Sequence, residues 1–483
     1  MPRLRVLDLR GANDDVRALL PRPREALDEA AEVVDRTIDA VRERGDDALR
    51  ELTERFDGVA LDGLIVDPAA LEDAWASLEP DVRAALEQAA AQVRAFHEQA
   101  RPADWSSGAE GARMGQWYRP VQRVGVYVPG GKAAYPSTVL MTVVPARVAG
   151  VDEVVLCTPP SGGDGTPNTT ILAAAHLAGV DRVVQVGGAQ AIAAMAFGTE
   201  SVPRCDKVVG PGNRFVALAK QRVAAAGLCG IDAVAGPTEI AIIADDTADP
   251  RILAADLVAQ AEHDELATVF LITTAPEAID ELEQRLDEEV TATRHRERVE
   301  AALAGQGTVA IVSDIDQAVA VAEQFAAEHL EIQCRDARAV AERVRFAGTT
   351  FIGSQSPVSL GDYAAGPNHT LPTSGTARFT GGLTTASYLV AVNWVEYDRD
   401  GLAGLAGAVR TLAAAEDLPA HARAVDVRLV EQAPPGAPRP HVEQAPPGAP
   451  RPHVEQAPPG APRPHVEQAP PGAPAPFADG GGA

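Results

Sequence analysis

VGVYVPGGKAAYPSTVLMTVVPARVAGVDEVVLC, residues 124–157, decides the fold. A β-rich run (124–128) ends in a glycine turn, a helix-length segment follows, and a second β-rich run (152–157) closes the unit. RVVQV (182–186) and KVVG (207–210) continue the pattern, with Ala-rich, helix-length stretches between most of the runs. Such alternation builds a parallel sheet covered by helices on both faces. A second series lies downstream: EIAIIA (239–244), TVFLIT (268–273), TVAIVS (308–313) and GTTFIG (348–353). The sequence therefore predicts an α/β protein with two parallel-sheet domains. The series change over near 235–239, in the turn-forming AGPTE. Residues 12–102 read as largely helical, because 28–44 and 80–100 carry apolar residues at helical spacing.

The chain has 483 residues, room for two or three domains. Aromatic residues make up only 4%, so Ala, Val, Leu and Ile must do the packing. Formal net charge is −26. That field disfavours nucleic-acid backbones and anionic membranes as partners. The start, MPRLRVLDLRGANDD, is charged too soon for a signal peptide, and no run approaches the ~20 apolar residues of a membrane span. Cys157, Cys205, Cys229 and Cys334 are widely spaced and unpaired in pattern. A reduced, cytoplasmic protein is the expectation.

From residue 429 the unit VEQAPPGAPRPH recurs with a period of twelve residues. One Val per unit cannot offset chain entropy, so 429–483 is expected to be a disordered, Pro-rich tail. Its recurring His441, His453 and His465 fit simple tandem duplication. A histidine metal tract and a ligand for a proline-binding domain are the alternatives.

Chemistry concentrates in three segments. GDYAAGPNHTLPTSGTAR (361–378) sets Asp362 and His369 among glycines, prolines and hydroxyls, a loop too polar to be core. In AQAEHD (259–264), Gln260 and His263 are three apart at a helix end and share a face. That is half of a metal site, or else a surface helix end. Asp249 and Pro250 suit the start of this helix. With Asp362 the donors are mixed N and O, compatible with Zn²⁺, Mn²⁺ or Co²⁺. His421 is a further candidate; read alone it is a solvated helix histidine. In EHLEI (328–332), Glu328 and His329 form an adjacent acid and base between a helix and a strand. His titrates near pH 6.5 and suits proton abstraction. The alternative is surface charge. VPGGK (128–132), VGGAQA (186–191) and GPGNRF (210–215) lie at strand ends, where ligands gather in α/β sheets. None matches a dinucleotide fingerprint or a P-loop, so each also reads as a tight turn.

Taken together, VGVYVPGGKAAYPSTVLM, VGGAQAIAAMAFGT, VVGPGNRFVALAK, AVAGPTEI, DLVAQAEHD, EHLEI and GDYAAGPNHTLPT closely resemble the histidinol dehydrogenase family, in family order. LAAAEDLPAHARAV extends the match to about residue 425. The resemblance implies four-electron oxidation of L-histidinol to L-histidine with two NAD⁺, through a retained L-histidinaldehyde. It implies an intertwined homodimer with one Zn²⁺ per subunit, held by Gln260, His263, Asp362 and His421 of the partner subunit. It assigns proton transfer to His329 and water activation to Glu328. Gln260, His263, His329 and Asp362 line the substrate, with Thr238, His369, Glu416 and His421. Thr238 stands where Ser is common and keeps the hydroxyl. Tyr127, Gln190 and Asn213 fall at NAD contacts.

The implied organisation is an arm (1–25), a larger catalytic domain (26–123 with 239–383), a Rossmann-like NAD domain (124–238), a C-terminal helical dimerisation segment (384–428) and the tail. A paralogue oxidising another small alcohol, a zinc hydrolase using Glu328 and a non-catalytic scaffold presenting the repeat are the alternatives. A thiohemiacetal route would need Cys157 or Cys205.

Overall fold

The computed structural model describes residues 3–12, 15–23, 28–130, 134–161, 165–234 and 236–430. Its strands are, in chain order, β1 (Arg5–Asp8), β2 (Trp105–Ala109), β3 (Ala112–Pro120), β4 (Arg123–Tyr127), β5 (Glu153–Cys157), β6 (Arg182–Val184), β7 (Lys207–Val209), β8 (Gly230–Ile231), β9 (Glu239–Ala244), β10 (Thr268–Thr273), β11 (Thr308–Ile311), β12 (His329–Gln333), β13 (Thr349–Ile352) and β14 (Leu389–Tyr397). The repeat tail lies outside the described residues.

Two parallel sheets result, as the alternation predicts. One is five-stranded, in the order β6-β5-β4-β7-β8; the other is six-stranded, in the order β1-β11-β10-β9-β12-β13. The chain crosses from one to the other between Ile231 and Glu239. Strand β9 is buried at every position, as a central strand covered on both faces must be. Helix ends follow local chemistry. Asp249 caps Pro250–Ala261 by accepting from the Arg251 amide, with Pro250 in the first turn, as its sequence predicts. Asn168 caps Thr169–Ala178 in the same way.

The structure departs from the sequence reading in three places. The N-terminal arm supplies β1, which pairs with β11 at the sheet edge and buries the flanking Leu4 and Leu9. The helices of residues 28–99 pack on the five-stranded sheet, not on the larger domain. Val34, Val41 and Leu49 share a core with Val155 and Met195, while Leu71, Leu86 and Val93 share one with Val126 and Val139. Finally, the C-terminal segment expected to be helical opens with β14, which joins β3 and β2 in a three-stranded antiparallel sheet. Trp117 and Trp394 stack across it, ring centroids 5.5 Å apart. Gly115 makes room: a Cβ there would meet the Trp394 ring at 2.5 Å. Trp105, Met114, Trp117, Val390, Val392 and Val395 of this sheet are exposed.

The described chain divides into two compact units, the first ending at Gly401 and the second beginning at Leu402. In the second, the helix Pro419–Leu429 is tied to the helix before it by Arg410, whose Nε donates to Asp426 Oδ1 at 2.7 Å. Among the described residues no helix is long and apolar enough to cross a membrane.

Candidate active site

Strands β9 and β12 are neighbours, with His329 opposite Ile240. Their amino ends therefore place Thr238 and Glu239 beside Glu328 and His329. This is the opposite edge from the one expected of α/β sheets. The cause is the helix Pro250–Ala261: it leaves the carboxyl end of β9 and runs back, delivering Gln260 and His263 to the amino ends. A short helix, Val358–Tyr363, follows β13 and carries Asp362.

These residues form one connected cluster. Gln260 Nε2 donates to Thr238 Oγ1 at 2.6 Å, and Thr238 Oγ1 donates to Glu328 Oε2 at 2.5 Å. The Glu239 amide donates to the same Glu328 oxygen at 2.9 Å. Thr238, expected as a substrate contact, thus also links Gln260 to Glu328. Asp362 stands between two imidazoles: Oδ2 is 3.7 Å from His263 Nε2, and Oδ1 is 3.7 Å from His329 Nε2.

The three histidines share a device. His329 Nδ1 lies 3.1 Å from Glu239 O, His263 Nδ1 lies 3.0 Å from Ala259 O, and His369 Nδ1 lies 2.9 Å from Asp362 O. A carbonyl only accepts, so each Nδ1 is the donor and each neutral ring keeps its lone pair on Nε2. His369 Nε2 is 3.3 Å from the Thr138 hydroxyl. His329 Nε2 is buried without a hydrogen-bond partner among the described residues.

Burial sets the electrostatics. It pushes Glu328 up to about 7, against the hydrogen bonds from Thr238 and the Glu239 amide. It pushes His329 down, against the pull of Asp362, so the imidazole is neutral and basic at neutral pH. His369 is lowered by burial too. Beneath the cluster Glu239 is buried and raised to about 7, chiefly by desolvation. It pairs with Arg22 and accepts from the Ser374 amide at 3.1 Å.

The donors present suit a metal of zinc's kind. Gln260 Oε1 is buried with no partner among the described residues. Such an orphan costs about 1–3 kcal/mol, so a partner from outside the chain is expected. His263 Nε2 and an Asp362 oxygen lie within reach of one ion, giving a mixed N/O set. Glu416 and His421 belong to the second unit, where both are exposed.

The proposed NAD residues fall at the carboxyl edge of the five-stranded sheet. Tyr127 ends β4, and its hydroxyl accepts from the Gly188 amide at 3.2 Å. Gln190 is buried in the helix Gly188–Phe197. Asn213 is exposed and caps Arg214–Ala225 by accepting from the amides of Phe215 and Val216. Gly210, φ +117°, lies so close to β4 that a Cβ would meet Tyr127 O at 2.1 Å. Its amide donates to Asp232 Oδ2 at 2.8 Å, and its carbonyl accepts from Lys220 Nζ at 3.0 Å. Lys220 and Asp232 are themselves a buried ion pair. The glycine turn is therefore held rigid from below.

No thiol competes for the chemistry. Cys157 is fully buried and burial pushes it to about 12; Cys205 is buried and raised as well. Sequence reasoning missed Thr138, Arg22, Glu239, Asp256 and Glu331. For Thr138, Glu239, Asp256 and Glu331 the only signal was a polar residue beside apolar ones; Arg22, between Pro21 and Pro23, gave none.

Comparison with known proteins shows the family. The histidinol dehydrogenase family model matches residues 20–429. The chain is 47% identical to the histidinol dehydrogenase of Bifidobacterium longum, covering 89% of this chain and 94% of that protein. It is 49% identical to that of Thermobifida fusca, covering 88% and 97%. The crystal structure of histidinol dehydrogenase from Elizabethkingia anophelis superposes with a TM-score of 0.85 at 32% identity, covering 89% of this chain and 98% of that one. The chain belongs to the histidinol dehydrogenase family and is an NAD-dependent oxidoreductase.

Proposed function

We propose that the chain oxidises L-histidinol to L-histidine in two successive two-electron steps, the last reaction of histidine biosynthesis. The observation that carries this reading is the position of Asp362, with one oxygen toward His263 and the other toward His329. On this reading a metal-binding edge and a proton acceptor stand on either side of one carboxylate.

Gln260, His263 and Asp362, with His421 of the partner subunit, would hold one zinc per subunit. Bound there, zinc would supply an electrophilic anchor for the imidazole and amine of the substrate, which would fix the carbinol in place. Tyr127, Gln190 and Asn213 would hold NAD⁺, two of which in turn would supply the hydride acceptors for the two oxidations. His369 and Thr238, with Glu416, complete the substrate site. His329 Nε2 takes the carbinol proton as the alcohol becomes an aldehyde. Glu328 then takes a proton from the water that adds to the aldehyde. Its pKa of about 7 suits a base that must accept and release protons near neutrality. Thr238 and the Glu239 amide orient that carboxylate throughout.

The reading includes a homodimer. A sheet with several large apolar side chains in water calls for a cover, and a second copy is the economical one. Subunit mixing tests it. His263→Ala and His421→Ala are each expected to be inactive. Dissociated and reassembled together, half of the dimers carry one intact site, so about a quarter of the activity returns. No recovery after verified exchange would place both ligands in one subunit.

A further inference from the structure

Two buried carboxyls behind the site have no part in the chemistry above. Glu331 lies two residues beyond His329 on the same face of β12, and is 1% exposed. Asp256 lies one turn before Gln260 on the helix Pro250–Ala261 and is 8% exposed. The two carboxyls interact directly, each shifting the other's titration. Gln333 Nε2 donates to both, at 3.1 Å to Glu331 Oε2 and 3.2 Å to Asp256 Oδ2. The remaining Glu331 oxygen accepts from the Val358 amide at 3.0 Å. Val358 opens the short helix that carries Asp362 one turn later.

We infer that Glu331, with Asp256 and Gln333, is a positioning residue for the metal site, pinning the Asp362 helix to the elements that carry Gln260 and His329. The inference rests on the zinc reading above. All three elements meet at this one set of hydrogen bonds. The short helix has little else to define it: six residues, with only Val358 and Gly361 buried and no side-chain cap. A shift of its first turn carries Asp362 with it, and Asp362 is both the proposed ligand and the neighbour of His329. Stability alone does not account for the acids, since a buried ionic cluster is commonly matched or bettered by apolar residues of similar volume. Burial raises both carboxyls, Glu331 to about 8, consistent with one shared proton between them. The role then needs hydrogen-bonding shape more than charge.

The test is zinc affinity of the full-length enzyme, measured by competition with a chromogenic chelator, together with the visible spectrum of the Co²⁺-loaded form. Glu331→Ala is expected to weaken zinc binding by about 10–100-fold, the usual effect of losing an outer partner of a ligand, and to change the Co²⁺ spectrum. Asp256→Asn keeps every hydrogen bond of the network and is expected to stay within about threefold of wild type. Val358→Pro removes the anchored N–H at a helix position that tolerates proline, while exchanging one small buried apolar side chain for another, and is expected to follow Glu331→Ala. It decides the matter if Glu331→Ala does not fold. Wild-type affinity and spectrum in folded Glu331→Ala or Val358→Pro would overturn the inference. Asp256→Asn as weak as Glu331→Ala would overturn it too. A wild-type enzyme that takes up no zinc would overturn the zinc reading and this inference with it.

Discussion

Replacing His329 with alanine is expected to slow hydride transfer by about 10²–10⁴-fold, the usual contribution of a positioned general base, with zinc content unchanged. The geometry separates the two readouts. His329 Nδ1 is committed to Glu239 O, and Nε2 faces Asp362 at 3.7 Å with no hydrogen-bond partner of its own among the described residues. Burial lowers its pKa, so the ring is a free base at neutral pH, ready to take a carbinol proton. The proposed metal donors Gln260, His263 and Asp362 lie on other elements and remain after the substitution. Single-turnover formation of NADH and metal analysis of the same sample make the check. Loss of zinc from the variant would make His329 a ligand instead.

Glu328→Gln is expected to divide the reaction, sparing the first oxidation and slowing the second by about 10²-fold or more. Gln still accepts from Thr238 and the Glu239 amide, so the site keeps its shape, but it cannot take a proton from water. L-histidinaldehyde then accumulates, visible on trapping with a carbonyl reagent. Equal slowing of both steps would assign Glu328 to the first as well.

The same variant carries a stability signature of opposite sign. Glu328 has its folded pKa raised from 4.5 to about 7, so the folded state holds its proton more tightly than the unfolded chain. Stability present at pH 4 is therefore lost as pH rises through 7. In zinc-free protein, Glu328→Gln removes that loss and is expected to be more stable than wild type at pH 8, by up to ~3 kcal/mol. The gap closes at pH 4. Urea unfolding at the two pH values reads it. A destabilised variant at pH 8 would mean that hydrogen bonds to the carboxylate outweigh its desolvation.

How far the sequence foretold this depends on how locally each feature is written. Strands β9 and β10, EIAIIA and TVFLIT, each hold at least four consecutive apolar residues and are buried at every position, and their type and limits are plain in the residues. The antiparallel sheet is the reverse case. WSSGA and ARMGQWYRP mix glycine, serine and arginine with aromatics, and their side chains are mostly exposed. No buried face imposes an alternation that could be read. The arm's RVLD is four residues long and, among the described residues, pairs on one side only. The site was legible where motifs bunch its residues: Gln260 with His263, Glu328 with His329, Asp362 with His369. Asp256 and Glu331 were not, because their meaning arises only when residues 75 apart meet in the core. A glutamate in EHLEI looks the same whether it faces water or a second carboxyl.

The most direct test of the account is the number of NADH formed per L-histidinol consumed, measured as purified with zinc, after chelation, and after zinc is restored. The account predicts two NADH per substrate, lost on chelation and recovered with zinc. One NADH per substrate, or two that survive complete removal of the metal, would contradict it.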